Sequence, residues 1–281
     1  MKKTETKKGP LILLMIDGFG VAPKSEGNAI AMAGTPHLDE LISKYPSTAL
    51  SLPSMGRGKK IDQRRLYSII GGAGPHSDSL LDRLSAEGKK WCVLAEPERI
   101  ALSSYFFNGG KKIPPQSCFL PDRGSEPLKN FLEISNELIK RIKAGHWDFI
   151  AVFMADLESI SRDKDLKTLL LAIKEIDRTI AKLSKVVLER NGCLVLSAGN
   201  GLAEKFIDMK TGEIDTALSL NPVPFVLIGN EFEGKTMDLP EAPNGDLSNC
   251  APGGTLLDIA PTIIKLMDLP VKNKQQGHSL F

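Results

Sequence analysis

The sequence has few of the features that indicate an unusual environment or partner. Its 281 residues carry a formal net charge of only +2, which gives no electrostatic reason to expect nucleic acid or a membrane surface as a partner. Its four cysteines are widely spaced and form no C-x-x-C pair. A cysteine-based zinc site or a thioredoxin-like motif is therefore not indicated, and the pattern suits a reducing compartment.

Long apolar runs are also missing. The N-terminal stretch "MKKTETKKGPLILLMIDGFG" places four lysines before an apolar run, but Leu11–Ile16 is short and ends at Asp17. A secretory signal needs about 7–15 apolar residues and a small-residue cleavage site, and a membrane-spanning helix needs about 20. We therefore interpret residues 1–10 as a basic, solvated tail, and we expect no membrane insertion and a cytoplasmic location.

What the chain does have is a regular alternation of two patterns. Short apolar runs typical of buried strands are separated by segments with helical spacing; the runs are "LILLMI", "WCVLAE", "DFIAVFMA", "CLVLSA" and "PFVLIG". Such alternation favours an α/β fold with a mostly parallel sheet and helices on both faces. We assign residues 11–281 to one such domain.

Helix boundaries follow from Pro and Gly. Thr35-Pro36 predicts a capped helix start, and further helices are predicted to end at Gly88 and Gly145. A long amphipathic helix is predicted from Asp165 to Gly192. A last one lies in "GGTLLDIAPTIIKLMDL".

Residues 53–78 differ from the rest of the chain. They are rich in Gly and basic residues and show no clear amphipathic period, which favours a solvated or mobile connector. A sharper alternative is an anion-binding loop, and another is a partner-docking element formed by Arg57, Lys59, Lys60, Arg64 and Arg65.

Chemistry in a parallel sheet collects at the carboxyl ends of the strands, where this sequence places Asp17, Asp156 and Gly199. The loop tip "SAGNG", at 197–201, carries no metal ligand and no strong acid or base. Ser197 follows a strand as a nucleophile might, but without the G-x-S-x-G context.

Several segments resemble a known family. "IDGFGVAPKSEGNAIAMAGTPHLDELISKYPSTAL" resembles the opening of the 2,3-bisphosphoglycerate-independent phosphoglycerate mutases, members of the alkaline phosphatase superfamily. Later segments resemble that family in the same order, namely "LAEPERIALSSYFFNGG", "IDTALSLNPVPFVLIG", "GGTLLDIAPTIIKLMDLP" and "GHSL". The resemblance implies an alkaline-phosphatase-like phosphatase domain alone, because residues 53–78 are too few to hold the family's inserted substrate domain.

The resemblance also implies a site, which this chain has largely lost. The family holds two metal ions, usually manganese, and uses a serine nucleophile. Asp17 and Glu158 stand at metal-binding positions and remain as weak remnants, whereas Gly58 stands at the nucleophile's position. The other ligand positions hold Arg162, Gly199, Asn200 and Leu218.

Three arginines are candidates for binding substrate or another anion: Arg57, Arg99 and Arg162. The resemblance places Arg99 where the family has a substrate-contacting lysine. Arg162 replaces a histidine ligand, and we hypothesise that it pairs with Asp17 or Glu158 in the structural role of the metal.

These observations predict a catalytically inactive pseudoenzyme that acts as a scaffold or subunit of a larger assembly, with an unidentified protein partner and no cofactor. One alternative is a manganese- or magnesium-dependent phosphoglycerate mutase or phosphatase with a site rebuilt from Asp17, Asp156, Glu158 and Ser197. Another is a sensor that binds a phosphorylated metabolite without turnover.

Overall fold

A computed structural model describes most of the chain. It covers residues 9–53, 61–72, 78–96, 99–100, 105–114, 118–119, 127–154, 156–237, 242, 245–271 and 276–281. Residues 1–8 of the predicted tail and the candidates Arg57, Gly58, Lys59 and Lys60 lie outside the described residues.

Within that part of the chain the sheet has eight strands in the order β4-β3-β5-β1-β6-β7-β2-β8. The strands are β1 Leu11–Ile16, β2 Ser47–Ser51, β3 Trp91–Ala95, β4 Cys118–Phe119, β5 Phe149–Met154, β6 Cys193–Ser197, β7 Val223–Ile228 and β8 Gly254–Thr255. Parallel pairing runs from β4 to β6, and β7 is antiparallel to both β6 and β2. The mostly parallel α/β sheet predicted from the sequence is confirmed, as are its five predicted strands.

Helices cover the faces of the sheet. They are α1 Ala29–Ala33, α2 Pro36–Lys44, α3 Gln63–Ile70, α4 Leu80–Ala86, α5 Pro127–Ala144, α6 Asp156–Arg162, α7 Leu166–Glu189 and α8 Ile259–Leu266. The long helix α7 packs against α1, α2, α5 and α6. Strands β1, β5 and β7 are buried along their whole length, which explains why they appear as continuous apolar runs in the sequence. No described helix has the length and apolar character needed to cross a membrane.

Helix α3 corrects the prediction of a connector without helical periodicity. Asp62 caps it by accepting a hydrogen bond from the backbone N–H of Arg64, and Leu66, Tyr67 and Ile70 are buried. Arg64 and Arg65 face the solvent. The helix has only eight residues, so it contains too few turns for its apolar face to stand out among basic neighbours.

The predicted cap of α2 is also different. Thr35 makes no side-chain capping bond, and the first backbone N–H groups of α2 instead donate to Asp177 on α7. At the N-terminus, Gly9 and Pro10, assigned to the tail from the sequence, already bond to the start of β6 through Asn191 and Cys193.

Candidate functional site

Four adjacent parallel strands bring a set of polar side chains together. The strands β3, β5, β1 and β6 are neighbours, and their carboxyl ends therefore lie side by side at one edge of the sheet. Arg99 follows β3, Glu158 lies on α6 after β5, Asp17 follows β1, and Asn200 follows β6. This is the edge at which the sequence placed the chemistry.

Asp17 is fully buried, and its own protein engages both of its carboxylate oxygens. The Tyr67 hydroxyl donates to Oδ2 at 2.7 Å, and the Gly199 N–H donates to Oδ1 at 2.8 Å. Burial raises the pKa of Asp17, and this effect is opposed by the charge of Arg99 and by the two hydrogen bonds. Asp17, one of the two carboxylates that the resemblance retains at metal-binding positions, is thus part of a closed hydrogen-bond cluster.

Arg99 lies between the two remnant carboxylates. Its Nε is 3.6 Å from Asp17 Oδ2, its Nη2 donates to Glu158 Oε2, and only 4% of the residue is exposed. Burial alone would lower the pKa of Arg99, but Asp17, Tyr67 and Glu158 raise it above its ordinary value. The pKa of Glu158, which burial alone would raise, is lowered chiefly by Arg99. The guanidinium and the Glu158 carboxylate are therefore both held in their charged forms.

Helix α3 closes the site from above the sheet edge. Gln63 Nε2 donates to Glu158 Oε2 at 3.0 Å and to Asn200 Oδ1 at 3.1 Å. Gln63 lies one helical turn before Tyr67, so both side chains project from the same face of α3. Gln63 and Tyr67 were not predicted as site residues, and their four-residue spacing was the signal in the sequence that pointed to them.

The hypothesis about Arg162 is only partly matched by the geometry. Its Nη2 donates to Glu158 Oε1 at 3.2 Å, but its side chain is 58% exposed. The buried place between Asp17 and Glu158 belongs to Arg99, because that residue follows the neighbouring strand β3 and reaches both carboxylates. Leu218, at another lost ligand position, packs against the hydrophobic core and contributes only apolar surface.

Ser197 does not have the surroundings of a nucleophile. It is fully buried in β6, and among the described residues its Oγ has no hydrogen-bond partner. A serine nucleophile needs an adjacent base to accept its proton. Asp156, the other member of the alternative rebuilt site, is the first residue of α6.

Behind the site, Glu204 joins the loop after β6 to the loop before β7. This buried carboxylate accepts hydrogen bonds from the Ser219 hydroxyl, from Asn221 Nδ2 at 3.0 Å and from the Leu202 N–H at 2.7 Å. A bonded carboxylate is tolerated in the interior, so Glu204 supports the loop without requiring a metal.

The donor set does not fit a divalent metal ion. Catalytic metal sites use several carboxylate or imidazole ligands, yet no three His, Cys, Asp or Glu side chains meet in a metal-binding group within the described residues. Two carboxylates remain here, with a guanidinium between them. Two of the histidines lie elsewhere, with His37 against Asp177 and His278 against Asp258.

Comparison with known proteins agrees with this architecture. A family model for the metalloenzyme superfamily matches residues 9–271. The 2,3-bisphosphoglycerate-independent phosphoglycerate mutase of Clostridioides difficile (strain 630) is 30% identical over 219 residues, covering 74% of this chain and 40% of the relative. That of Myxococcus xanthus (strain DK1622) is 32% identical over 214 residues, covering 73% and 39% respectively. The chain thus spans about 40% of the length of these curated relatives.

Solved structures share the fold at low sequence identity. An alkaline phosphatase superfamily protein from Vibrio parahaemolyticus matches with a TM-score of 0.62 and 14% identity, over 98% of this chain and 70% of that one. The PH0037 protein from Pyrococcus horikoshii matches with a TM-score of 0.64 and 14% identity, over 94% and 98%. A Leishmania mexicana phosphoglycerate mutase matches with a TM-score of 0.53 and 19% identity, over 69% and 38%. The expected alkaline-phosphatase-like fold is confirmed, and the chain belongs to the metalloenzyme superfamily as a homologue of the phosphatase-like part of the 2,3-bisphosphoglycerate-independent phosphoglycerate mutases.

Proposed function

We propose that this protein is a non-catalytic relative of the phosphoglycerate mutases that serves as a scaffold or subunit of a larger assembly in the cytoplasm. The observation that carries the proposal is the closure of the site by the protein's own groups. Asp17 and Asn200 are fully buried. Tyr67 and Gly199 hydrogen-bond to Asp17, Gln63 hydrogen-bonds to Asn200, and Arg99 lies within ion-pair distance of Asp17. A protein that keeps the fold but has lost the active site can still function by binding other proteins through its surface.

The chemistry of phosphoryl transfer supports the same conclusion. The reaction depends on positioning and on neutralising the charge of the transferred group, for which enzymes use metal ions and cationic side chains. Here the one buried cation, among the described residues of the site, is already neutralised by Asp17 and Glu158. Gly58, at the position of the family's nucleophile, carries no hydroxyl group.

The two alternatives receive less support from the site. A rebuilt metal-dependent mutase or phosphatase would need a base beside Ser197 and further metal ligands beside Asp17 and Glu158. A phosphometabolite sensor would need Arg99 to exchange two internal carboxylates for a phosphate. Arg162 is more accessible, but it contacts Glu158 as well.

The docking element is proposed to include the outer face of α3. This helix is anchored by Leu66 and Tyr67, while Arg64 and Arg65 point to the solvent. The Arg64 side chain is 67% exposed, and its Nε lies 3.2 Å from Asp62 Oδ1. The partner would therefore meet a basic surface on a rigid support, continued by Arg57, Lys59 and Lys60 in the neighbouring sequence.

Activity and metal content test the non-catalytic part of the proposal. The purified chain is assayed for interconversion of 2- and 3-phosphoglycerate and for phosphate release with manganese or magnesium, its metal content is measured, and phosphorylated metabolites are screened by thermal shift. We expect no turnover, no stoichiometric metal and no thermal shift. Turnover with two equivalents of manganese would establish the enzyme alternative, and a saturable thermal shift without turnover would establish the sensor.

Partner capture tests the scaffold part. Three proteins are compared: the native protein, an Arg64→Glu/Arg65→Glu variant and an Arg178→Glu/Lys182→Glu control. Each is expressed in the protein's native host cells and purified under mild conditions. The control changes two exposed basic residues of α7 and keeps the same net charge as the docking variant. We expect a stoichiometric partner to be lost only from the α3 variant. Equal recovery with all three proteins would rule out docking through α3.

A further inference from the structure

We infer that the guanidinium group of Arg99 is the resident cation of this site and takes the structural place of the metal ion that membership of the metalloenzyme superfamily implies. The inference rests on the proposed function in one respect, since a resident guanidinium can replace the metal only in a site that has lost its catalytic role. It goes further in two ways. It assigns the site a cation of its own, and it predicts that the site binds free guanidinium ion once Arg99 is replaced by a smaller residue.

The contacts of Arg99 with both remnant carboxylates are the first observation that supports this inference. The Arg99 Nε lies at an ion-pair distance of 3.6 Å from Asp17 Oδ2, and its Nη2 donates a hydrogen bond to Glu158 Oε2. These three residues come from the ends of β3, β1 and β5 with the following helix α6. One buried side chain therefore holds three neighbouring strand ends together, as a bound ion would.

The balance of charges at the site also indicates that Arg99 acts as its cation. The site contains two carboxylates, Asp17 and Glu158, and two guanidinium groups, Arg99 and Arg162. Arg162 contacts Glu158 from the solvent side, and its exposure weakens its charge as a counter-ion for the buried carboxylates. Without Arg99, Asp17 would be a buried carboxylate with hydrogen bonds but no adjacent cation, which is strongly unfavourable.

The remaining donors are the third observation, because they favour a guanidinium over a divalent metal. The Tyr67 hydroxyl and the Gly199 N–H donate to Asp17, and Gln63 Nε2 donates one of its hydrogens to Glu158. Hydrogen-bond donors leave few free lone pairs for a metal, which requires oxygen or nitrogen lone pairs. A planar guanidinium instead bonds to carboxylates through its own N–H groups.

The test is chemical rescue of an Arg99→Ala variant. We expect its thermal midpoint to fall by about 10 °C, since breaking a buried ion pair is strongly destabilising in a chain of this size. We then expect guanidinium chloride at about 10 mM, far below the concentrations that denature proteins, to recover several degrees with saturation. Sodium chloride and manganese chloride at equal ionic strength should recover less.

Matched variants separate this inference from a general loss of packing. Arg162→Ala removes the exposed partner of Glu158. Its thermal midpoint should fall by only a few degrees and should not be rescued by guanidinium, because exposed ion pairs contribute little to stability. Arg99→Lys keeps the charge but not the planar geometry, and its thermal midpoint should lie between those of the wild type and Arg99→Ala.

The outcomes are decisive for the inference itself. An unchanged midpoint in Arg99→Ala, or rescue by manganese but not by guanidinium, would overturn it. Stabilisation of the wild type by manganese would also overturn it. These results are independent of the mutase assay, because an inactive protein with a metal would defeat this inference and leave the loss of catalysis intact.

Discussion

At the scale of single residues, position 199 shows how completely the site has closed. The Gly199 N–H donates to Asp17 Oδ1 at 2.8 Å. A Cβ atom at residue 199 would lie 2.8 Å from the same oxygen and 3.6 Å from the Tyr67 ring. The resemblance places an aspartate ligand here, and in this chain the space for such a side chain is taken by Asp17.

We therefore predict that Gly199→Ala lowers the free energy of unfolding by about 1–3 kcal/mol, the usual cost of forcing an extra carbon into a packed interior. Urea denaturation of the two proteins measures the difference. If contact with Asp17 is the cause, the cost shrinks in an Asp17→Ala background, because contacting residues show coupling. An equal cost in both backgrounds would place the strain elsewhere.

At the scale of elements, α2 depends on a residue of α7 that is remote in sequence. The buried carboxylate of Asp177 accepts the backbone N–H groups of His37 at 3.2 Å and Leu38 at 2.9 Å. The His37 ring nitrogen Nδ1 lies 2.8 Å from Asp177 Oδ2. Free N–H groups at a helix start are usually satisfied by the residue just before it. Here a packed neighbouring helix performs that task and joins the two helices.

Asp177→Ala is predicted to destabilise the protein by about 2 kcal/mol, because it removes a cap and leaves two helix N–H groups without their buried acceptor. Hydrogen exchange should increase more in α2 than in α8, which is not among the helices that pack against α7. The control is His37→Ala, which keeps both backbone bonds and should cost well under half as much. Equal losses in the two variants would assign the stability to the imidazole contact.

The same element shows which features the sequence could predict. Strands β1 and β5 and the long helix α7 were identifiable because each is long enough to show its period or its apolar character. Helix α3 was too short, and the contact between Asp177 and His37 spans 140 residues, so no local pattern reports it. Strand ends and resemblance pointed to Asp17 and Glu158, but the position of Arg99 between them depends on strand order. Strand order cannot be derived from one sequence.

At the scale of the whole molecule, the altered ligand positions and the closing groups form one system. Asp17 is held by Tyr67, Gly199 and Arg99, and Asn200 is held by Gln63. These groups come from β1, α3, the loop after β6 and the loop after β3. Tyr67, Gln63 and Arg99 each interact with a buried polar atom of the site. Restoring the lost metal ligands alone would therefore leave these three side chains in the place of a metal.

The last prediction concerns a variant with the family's ligands restored, namely Arg162→His, Gly199→Asp, Asn200→His and Leu218→His. We expect a lower thermal midpoint and no stoichiometric manganese, because Arg99 still neutralises Asp17 and Glu158, and because the side chain introduced by Gly199→Asp would crowd Asp17. Metal analysis after dialysis against manganese, together with calorimetry, measures both. The control carries the same four changes with Arg99→Ala, and any gain in manganese affinity should appear there first, since removing the guanidinium takes away the cation that both carboxylates share. Stoichiometric manganese in the variant that retains Arg99 would show that the ligands, and not the resident guanidinium, decide whether this fold holds a metal.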